Sequence, residues 1–259
     1  MLKEERRSAM EKLIHQRQTV SMEELCALFD VSINTVRTDV AELVRRGSAR
    51  KVYGGVQSTV SKPVTLFSVR AQEQPDIKRA IAHAAAGLIQ AGDIVFADAG
   101  TTVMHLLEAV PEALPFTLIT ANLSLIMAAA ERPNIHLVVL PGTLQRRTNS
   151  LSDGSTAAYL GGFQCAKAFL GVTGITLNGN LNASDYTEQE IKQQAIRQSA
   201  EVYLLTDSRK FGESNLLSVG SLKQITTLFT DPKIPAEYLA YCEEHGVKVV
   251  RVPFNPPTC

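Results

Sequence analysis

Residues 95–106 read VFADAGTTVMHL. Val95, Phe96 and Ala97 suit a buried strand, the Asp98-Ala99-Gly100-Thr101-Thr102 run suits a tight turn, and the apolar spacing from Val103 onward predicts a helix. A strand delivered through small hydroxyl residues into a helix is half of a βαβ unit. It sets the fold class as α/β, with alternating strands and helices around a mainly parallel sheet. Working outward, strands are predicted at 94–97, 116–120, 136–140, 167–171, 202–206, 226–229 and 247–252. Helices fall near 102–109, 123–131, 155–162, 185–199 and 236–245. One more, over 76–91, presents Ile77, Ile81, Ala84, Ala85 and Leu88 inward before Gly92 closes it. Near-continuous Val, Ile and Leu runs imply a sheet covered on both faces.

In such sheets ligands bind outside the carboxyl ends of the strands. Those ends read Asp98-Ala99-Gly100-Thr101-Thr102, Thr120-Ala121-Asn122, Pro141-Gly142-Thr143, Gly171-Val172-Thr173-Gly174 and Asp207-Ser208-Arg209-Lys210. Glycine lets a backbone N–H approach an anion, and threonine hydroxyls with a helix N-terminus add donors, so a phosphate fits. Asp98, Asn122 and the carboxylates near Lys192 suit the hydroxyls of a polyol. Each element alone has a plainer reading. Gly-Thr-Thr is a turn and cap, Lys192 a solvated helix residue, Asp207 a turn cap and Arg146-Arg147 a wet loop. Five small, polar strand ends in one domain favour a pocket over five unrelated turns.

The N-terminal part has a different grain. Residues 3–16 place Ala9, Met10, Leu13 and Ile14 at helical spacing. Ser21 and Glu24 form a Ser-x-x-Glu capping box, so a second helix starts at Met22 and turns Leu25, Leu28 and Phe29 inward. Ser32 caps a third helix, in which Val36, Val40, Leu43 and Val44 share one face. Asn34, Thr38, Ala41 and Arg45 lie opposite, flanked by Thr35 and Arg37. Short polar and basic groups near a helix N-terminus suit the major groove, where Asn and Arg pair with base edges and Thr with phosphate or a thymine methyl. Gly47 ends this helix. The SARKVYGGV run that follows predicts a β-wing with Arg50 and Lys51 facing phosphate. A three-helix unit used for protein contact is the alternative; the cap, the polar helix face and the basic wing together favour DNA. The DNA-contact set is therefore Ser32, Asn34, Thr35, Arg37, Thr38, Arg45, Arg50 and Lys51.

Bulk properties agree. The 259 residues are 45% hydrophobic and 20% charged, with a net charge of zero, as in ordinary globular proteins. Residues 1–58 hold ten Lys/Arg against eight Asp/Glu, and the remainder sixteen against eighteen. The excess is clearest between Thr35 and Gly55, where five basic residues face Asp39 and Glu42. Cys26, Cys165, Cys242 and Cys259 are scattered without a CxxC pair or neighbouring histidines, which predicts free thiols in a reducing cytoplasm and no metal site. The charged MLKEERR start is no signal peptide, and the uncharged stretch 113–130 reads as strand, loop and helix rather than a membrane span. The domains are expected at 1–57 (winged helix-turn-helix), 58–75 (a polar, extended linker) and 76–259 (an effector domain).

The run from Val20 to Val56 resembles the winged helix-turn-helix of DeoR-family transcriptional regulators, through Val31-Ser32, Thr35-Val36-Arg37-Thr38-Asp39-Val40, Gly47 and Tyr53-Gly54-Gly55. Thr38 stands where that family usually has a second arginine. The larger half resembles the same family's effector domain, whose fold is similar to ribose-5-phosphate isomerase and glucosamine-6-phosphate deaminase. The matching residues are Lys78-Arg79-Ala80-Ile81-Ala82, the Asp98 to Thr102 run, Asn122, Gly142 with Arg146-Arg147, the Phe169 to Ile175 run, Glu190 with Lys192, and the Asp207 to Gly212 run. Pro141 and Ala121 depart from the pattern. The resemblance implies a repressor of carbohydrate-utilisation genes that binds double-stranded operator DNA as a dimer or tetramer, with no cofactor and no membrane attachment. A phosphorylated sugar would bind at Asp98, Gly100, Thr101, Thr102, Thr120, Asn122, Gly142, Arg147, Lys192, Asp207 and Lys210. The competing reading is a phosphosugar isomerase carrying a DNA-binding module, with Asp185, Glu188 or Glu190 as base and Lys192 as electrophile.

Overall fold

A computed structural model of the chain describes residues 3–17, 19–52, 55–59 and 66–253. The chain divides into two compact units, one over residues 1–63 and one holding most of the remainder.

The first unit carries α1 (Lys3–Arg17), β1 (Thr19–Ser21), α2 (Met22–Phe29), α3 (Ile33–Arg45), β2 (Ala49–Val52) and β3 (Gly55–Ser58). Ser21 Oγ accepts from the Glu24 N–H at 3.0 Å and Ser32 Oγ from the Thr35 N–H at 3.3 Å, so both predicted caps form. Each satisfies one of the donors that a helix start leaves open. Met10, Ile14, Leu25, Val36, Val40 and Leu43 are buried together with Val20, Ala49 and Val56. Leu28, expected inward, is 52% exposed; α2 is short, and its inner stripe is filled by Leu25 with the half-buried Phe29 one turn on. The wing is present as antiparallel β2 and β3, and β1 adds a third strand against β3 that the sequence reading lacks. Its turn, Tyr53 and Gly54, lies outside the described residues.

The second unit begins with a correction. Residues 58–75 are predicted as extended linker, but α4 (Phe67–Gln72) forms within them. Phe67 is buried and its N–H donates to the Arg147 carbonyl at 3.0 Å. α5 (Pro75–Ala86) then ends five residues before the predicted Ala91, with Gly87 at its C-cap and Ala84 exposed. Next come β4 (Ile94–Ala97), a 3₁₀ turn over Val103–Ala109, β5 (Phe116–Thr120), α6 (Leu123–Ala130), β6 (Ile135–Val139) and the hairpin β7 (Thr143–Gln145) and β8 (Ser150–Ser152). They lead into α7 (Thr156–Leu160), β9 (Cys165–Leu170), β10 (Gly174–Ile175), β11 (Asn180–Ala183), α8 (Tyr186–Gln198) and β12 (Ser199–Leu205). The chain closes with β13 (Leu217–Ser221), β14 (Thr227–Thr230), α9 (Ala236–Glu244) and β15 (Lys248–Arg251).

All seven predicted strands meet in one sheet, in the order β15-β14-β12-β9-β4-β5-β6, and every pairing in it is parallel. Ile81, Ala85 and Leu106 cover one face over Val95 and Leu118; Ile191, Ala195 and Tyr238 belong to the core on the other face, with Ile119, Leu204 and Leu228. The hairpin β7-β8 and the small antiparallel sheet β10-β11-β13 are additions that the sequence reading does not contain. Strand order reverses between β4 and β9: the chain runs outward through β5 and β6, then returns to lay β9, β12, β14 and β15 on the opposite side. Ligands in open parallel sheets bind outside the strand ends at such a reversal. No helix among the described residues is long and apolar enough to cross a membrane, and no cluster of three or more His, Cys, Asp or Glu residues among them could hold a metal ion.

Candidate functional sites

The first unit exposes Ser32, Asn34, Arg37, Thr38 and Arg45 on α3 and Arg50 and Lys51 on β2, with Thr35 half-buried. Arg37 makes no hydrogen bond or ion pair among the described residues. Thr38 Oγ1 donates to the Asn34 carbonyl (2.9 Å), the back-bond that seats a threonine on a helix. Arg45 is already engaged: it grips Glu42 with Nε and Nη2 at 2.9 and 2.7 Å, and Arg46 reaches both Glu42 and Glu4 at 2.9 Å. Those arginines hold the Glu42 carboxyl down at about 2. Arg50 Nε donates to Gln57 across the wing (2.9 Å). Asp39, which the sequence reading names only as a charge and as part of a family motif, lies on the buried face of α3 and accepts from Arg6 and Arg7 of α1 at 2.8 Å each. That clamp fixes the pitch of α3 against α1.

In the second unit a narrow pocket opens over the carboxyl ends of β4, β9 and β12, the three strands around the reversal. Its walls are Gly100, Thr101 and Thr102 after β4, Gly171, Val172 and Thr173 after β9, and Thr206, Asp207 and Lys210 after β12. Helices add Arg70 from α4, Lys78 from α5, and Glu188 and Lys192 from α8. Asp98 is buried at the base, where it accepts from the Gly171 N–H at 3.0 Å and from the Lys192 ammonium. This carboxylate ties β4, β9 and α8 into one rigid frame.

Four cationic side chains, Arg70, Lys78, Lys192 and Lys210, therefore meet three carboxylates: Glu188 and Asp207 in the wall, and Asp98 at the base paired with Lys192. Asp207 is itself paired: burial pushes its carboxyl up, but the Arg209 guanidinium, bonded at 2.8 and 3.1 Å, and the Lys210 charge outweigh this and leave it below the ordinary value. Burial pushes the Lys78 ammonium down to about 8, against the pull of Asp207 and with the push of Lys210 and Arg209. Lys210 is lowered for the same first reason. Burial raises the Glu188 carboxyl, Lys192 opposing and Asp98 adding to the shift. Among the described residues, neither the buried Thr206 hydroxyl nor the half-buried Lys210 ammonium has a hydrogen-bond partner. Buried donors without acceptors are costly, and an anion would supply the acceptors.

Gly100, Thr101, Thr102, Lys192, Asp207 and Lys210 thus meet as expected, and Asp98 lies directly beneath them. Four others do not line the pocket. Thr120 Oγ1 donates to the Ala97 carbonyl and accepts from the Asn122 N–H, while Asn122 caps α6 and donates to the Asp98 carbonyl. Both are buried and consumed by backbone. Gly142 has φ of +146°, and a Cβ there would lie 2.5 Å from the Ser152 backbone, so glycine is required by the β7-β8 hairpin. Arg147 is exposed and offers its carbonyl to α4. Missed were Arg70 and Thr206, while Thr173 entered only within a strand-end run, Lys78 only within a motif and Glu188 only as a base for the isomerase reading. Lys78 could have been found, because it continues the buried Ala82–Ala85 stripe of α5. Asp185 caps α8 and Glu190 is exposed, which leaves Glu188 as the one proposed base near Lys192.

Two protein families match the chain: a DeoR-like helix-turn-helix domain over residues 6–62 and a DeoR C terminal sensor domain over residues 73–232. The HTH-type transcriptional regulator IolR of Bacillus subtilis is 38% identical over 240 residues, covering 93% of this chain and 96% of that protein. The glycerol-3-phosphate regulon repressor of Escherichia coli is 27% identical, covering 96% and 99%. Among solved structures, a ribose 5-phosphate isomerase from Methanocaldococcus jannaschii aligns over 54% of this chain and 55% of that one, at 17% identity and a TM-score of 0.39. Both named relatives are regulators by name, and this chain itself matches the helix-turn-helix family; together these support a regulator over the isomerase reading.

Proposed function

The chain belongs to the DeoR family of transcriptional regulators, and from that premise we propose that it represses carbohydrate-utilisation genes and leaves its operator when a phosphorylated sugar enters the pocket. One observation carries the ligand class. Arg70, Lys78, Lys192 and Lys210 line one pocket with Thr101, Thr102, Thr173 and Thr206 over the strand reversal, and the buried Thr206 hydroxyl has no partner among the described residues. Such a set of donors is complementary to a phosphate. Gly100, Thr101 and Lys210 take the phosphate, while Glu188 and the Asp98–Lys192 pair face the sugar hydroxyls.

Arg37, Asn34 and Thr38 read base edges and Arg50 and Lys51 meet phosphate. A helix-turn-helix unit gains affinity by pairing two half-sites, so the protein acts as a homo-oligomer. The names of relatives support the class: one is the repressor of a glycerol-3-phosphate regulon. The test is a thermal-shift screen of phosphorylated sugars beside their unphosphorylated parents. A phosphorylated member raises the melting temperature and its parent does not, because a ligand that prefers the folded state stabilises it in proportion to occupancy. Equal shifts for both, or none, would overturn the reading.

A further inference from the structure

The pocket wall includes a residue from an unexpected place. Arg70 lies on α4, the first described element of the second unit. α4 has little apolar hold of its own. Phe67 is its one buried side chain, whereas Leu66 at its N-cap and Val69 are 52% and 47% exposed. Polar links at the pocket edge hold it instead. The Phe67 N–H and Arg70 Nη2 donate to the Arg147 carbonyl at 3.0 and 3.3 Å, Lys78 Nζ donates to the Arg70 carbonyl, and Glu73 pairs with Arg209 at 3.2 Å. Lys78 and Arg209 are themselves tied to pocket chemistry, one in the wall and the other clamping Asp207. A six-residue helix with one buried side chain belongs to the low-stability part of a fold, which ligand contacts can shift.

We propose that Arg70 links pocket occupancy to α4: an anion in the pocket engages its guanidinium and holds α4, the first described element after the DNA-binding unit, more firmly than the empty site does. This inference rests on the anion-pocket reading above. The ligand works by its difference in affinity between the seated and unseated states of α4, and an interaction made in both would transmit nothing. Lys78 contributes from the same side, since its ammonium already holds the α4 carbonyl and faces the anion.

Hydrogen exchange with inorganic phosphate as the probe, at constant ionic strength set with sodium chloride, separates the two layers. In the wild-type protein phosphate slows exchange in the pocket loops at 98–102 and 171–173 and also across Phe67–Gln72. In Arg70→Met, which removes one cation from the wall, more phosphate is needed to slow the loops; at saturating phosphate the loops slow and α4 does not. With operator bound, phosphate weakens the wild-type complex roughly fivefold or more, a usual size for allosteric coupling, and leaves the Arg70→Met complex unmoved. Protected loops with an unchanged wild-type α4, an operator affinity that phosphate does not move, or an Arg70→Met protein that responds like wild type would each overturn the role of Arg70. Unprotected loops in the wild type would instead remove the anion pocket itself.

Discussion

Glu42 holds Arg45 and Arg46, and its charge lies in the last turn of α3, the helix proposed to enter the major groove. Glu42→Gln should free both arginines, raise affinity for non-operator DNA and steepen its salt dependence by about one to two charges in a plot of log affinity against log salt. Filter binding at several salt concentrations checks this, and an unchanged slope would show that the pairs open without cost when DNA arrives. Thr206 poses the opposite case. Its hydroxyl has no partner among the described residues, so Thr206→Val should leave unliganded stability within about 0.5 kcal/mol of wild type, yet weaken anion binding about tenfold, the worth of one charge-assisted hydrogen bond. Loss of stability with full anion affinity would contradict it. Lys78 gives a pH signature. With its ammonium at about 8 in the free pocket, it is half neutral at pH 8, and a bound anion draws its value back up. Binding at pH 8 should therefore take up protons, seen in calorimetry as a heat that depends on buffer ionisation enthalpy, and affinity should fall as pH rises beyond 8. For folding the sign is reversed: above pH 8 the unfolded chain keeps the proton longer, so the unliganded protein gains stability with pH up to the ordinary lysine value.

At the scale of elements, local rules that act within a few residues were legible. Ser21 and Ser32 cap their helices as their spacing predicts, and Ser32→Ala should cost about 1 kcal/mol of first-unit stability, measured by denaturant unfolding. The seven strands were visible because each is an apolar run bounded by turn residues. α4 was not. FSVRAQ is a single helical turn and a half, too short for periodicity to register, and it forms because Phe67 finds a burial site and the Arg147 carbonyl lies beside it. That carbonyl is distant in sequence. The same limit explains the site. Gly100, Thr101, Thr102, Asp207 and Lys210 were found because the strand-end rule names them directly. Thr120 and Asn122 obey the same rule but turn inward to bond the Ala97 and Asp98 carbonyls, and nothing in their own stretch distinguishes a capping asparagine from a ligand-binding one. Asp39 was hidden for a related reason, since its partners Arg6 and Arg7 lie over thirty residues away.

The molecule as a whole joins two units whose chemistry is separable. Arg37→Ala should abolish operator binding and leave phosphate-induced thermal stabilisation intact; loss of both would contradict the division. The Asp39 clamp belongs to the first unit alone, and the Asp98–Lys192 frame to the second. What links them is the claim that an anion over the strand reversal changes the grip on DNA. The direct measurement follows fluorescence anisotropy of the operator complex as phosphorylated sugars are added at fixed ionic strength, for the wild-type protein and Lys210→Met. One sugar phosphate should release the wild-type complex, and the variant should need at least about tenfold more of it, the loss expected from one charged contact. Release at the same concentration from both proteins, or from neither with any sugar phosphate, would contradict the account.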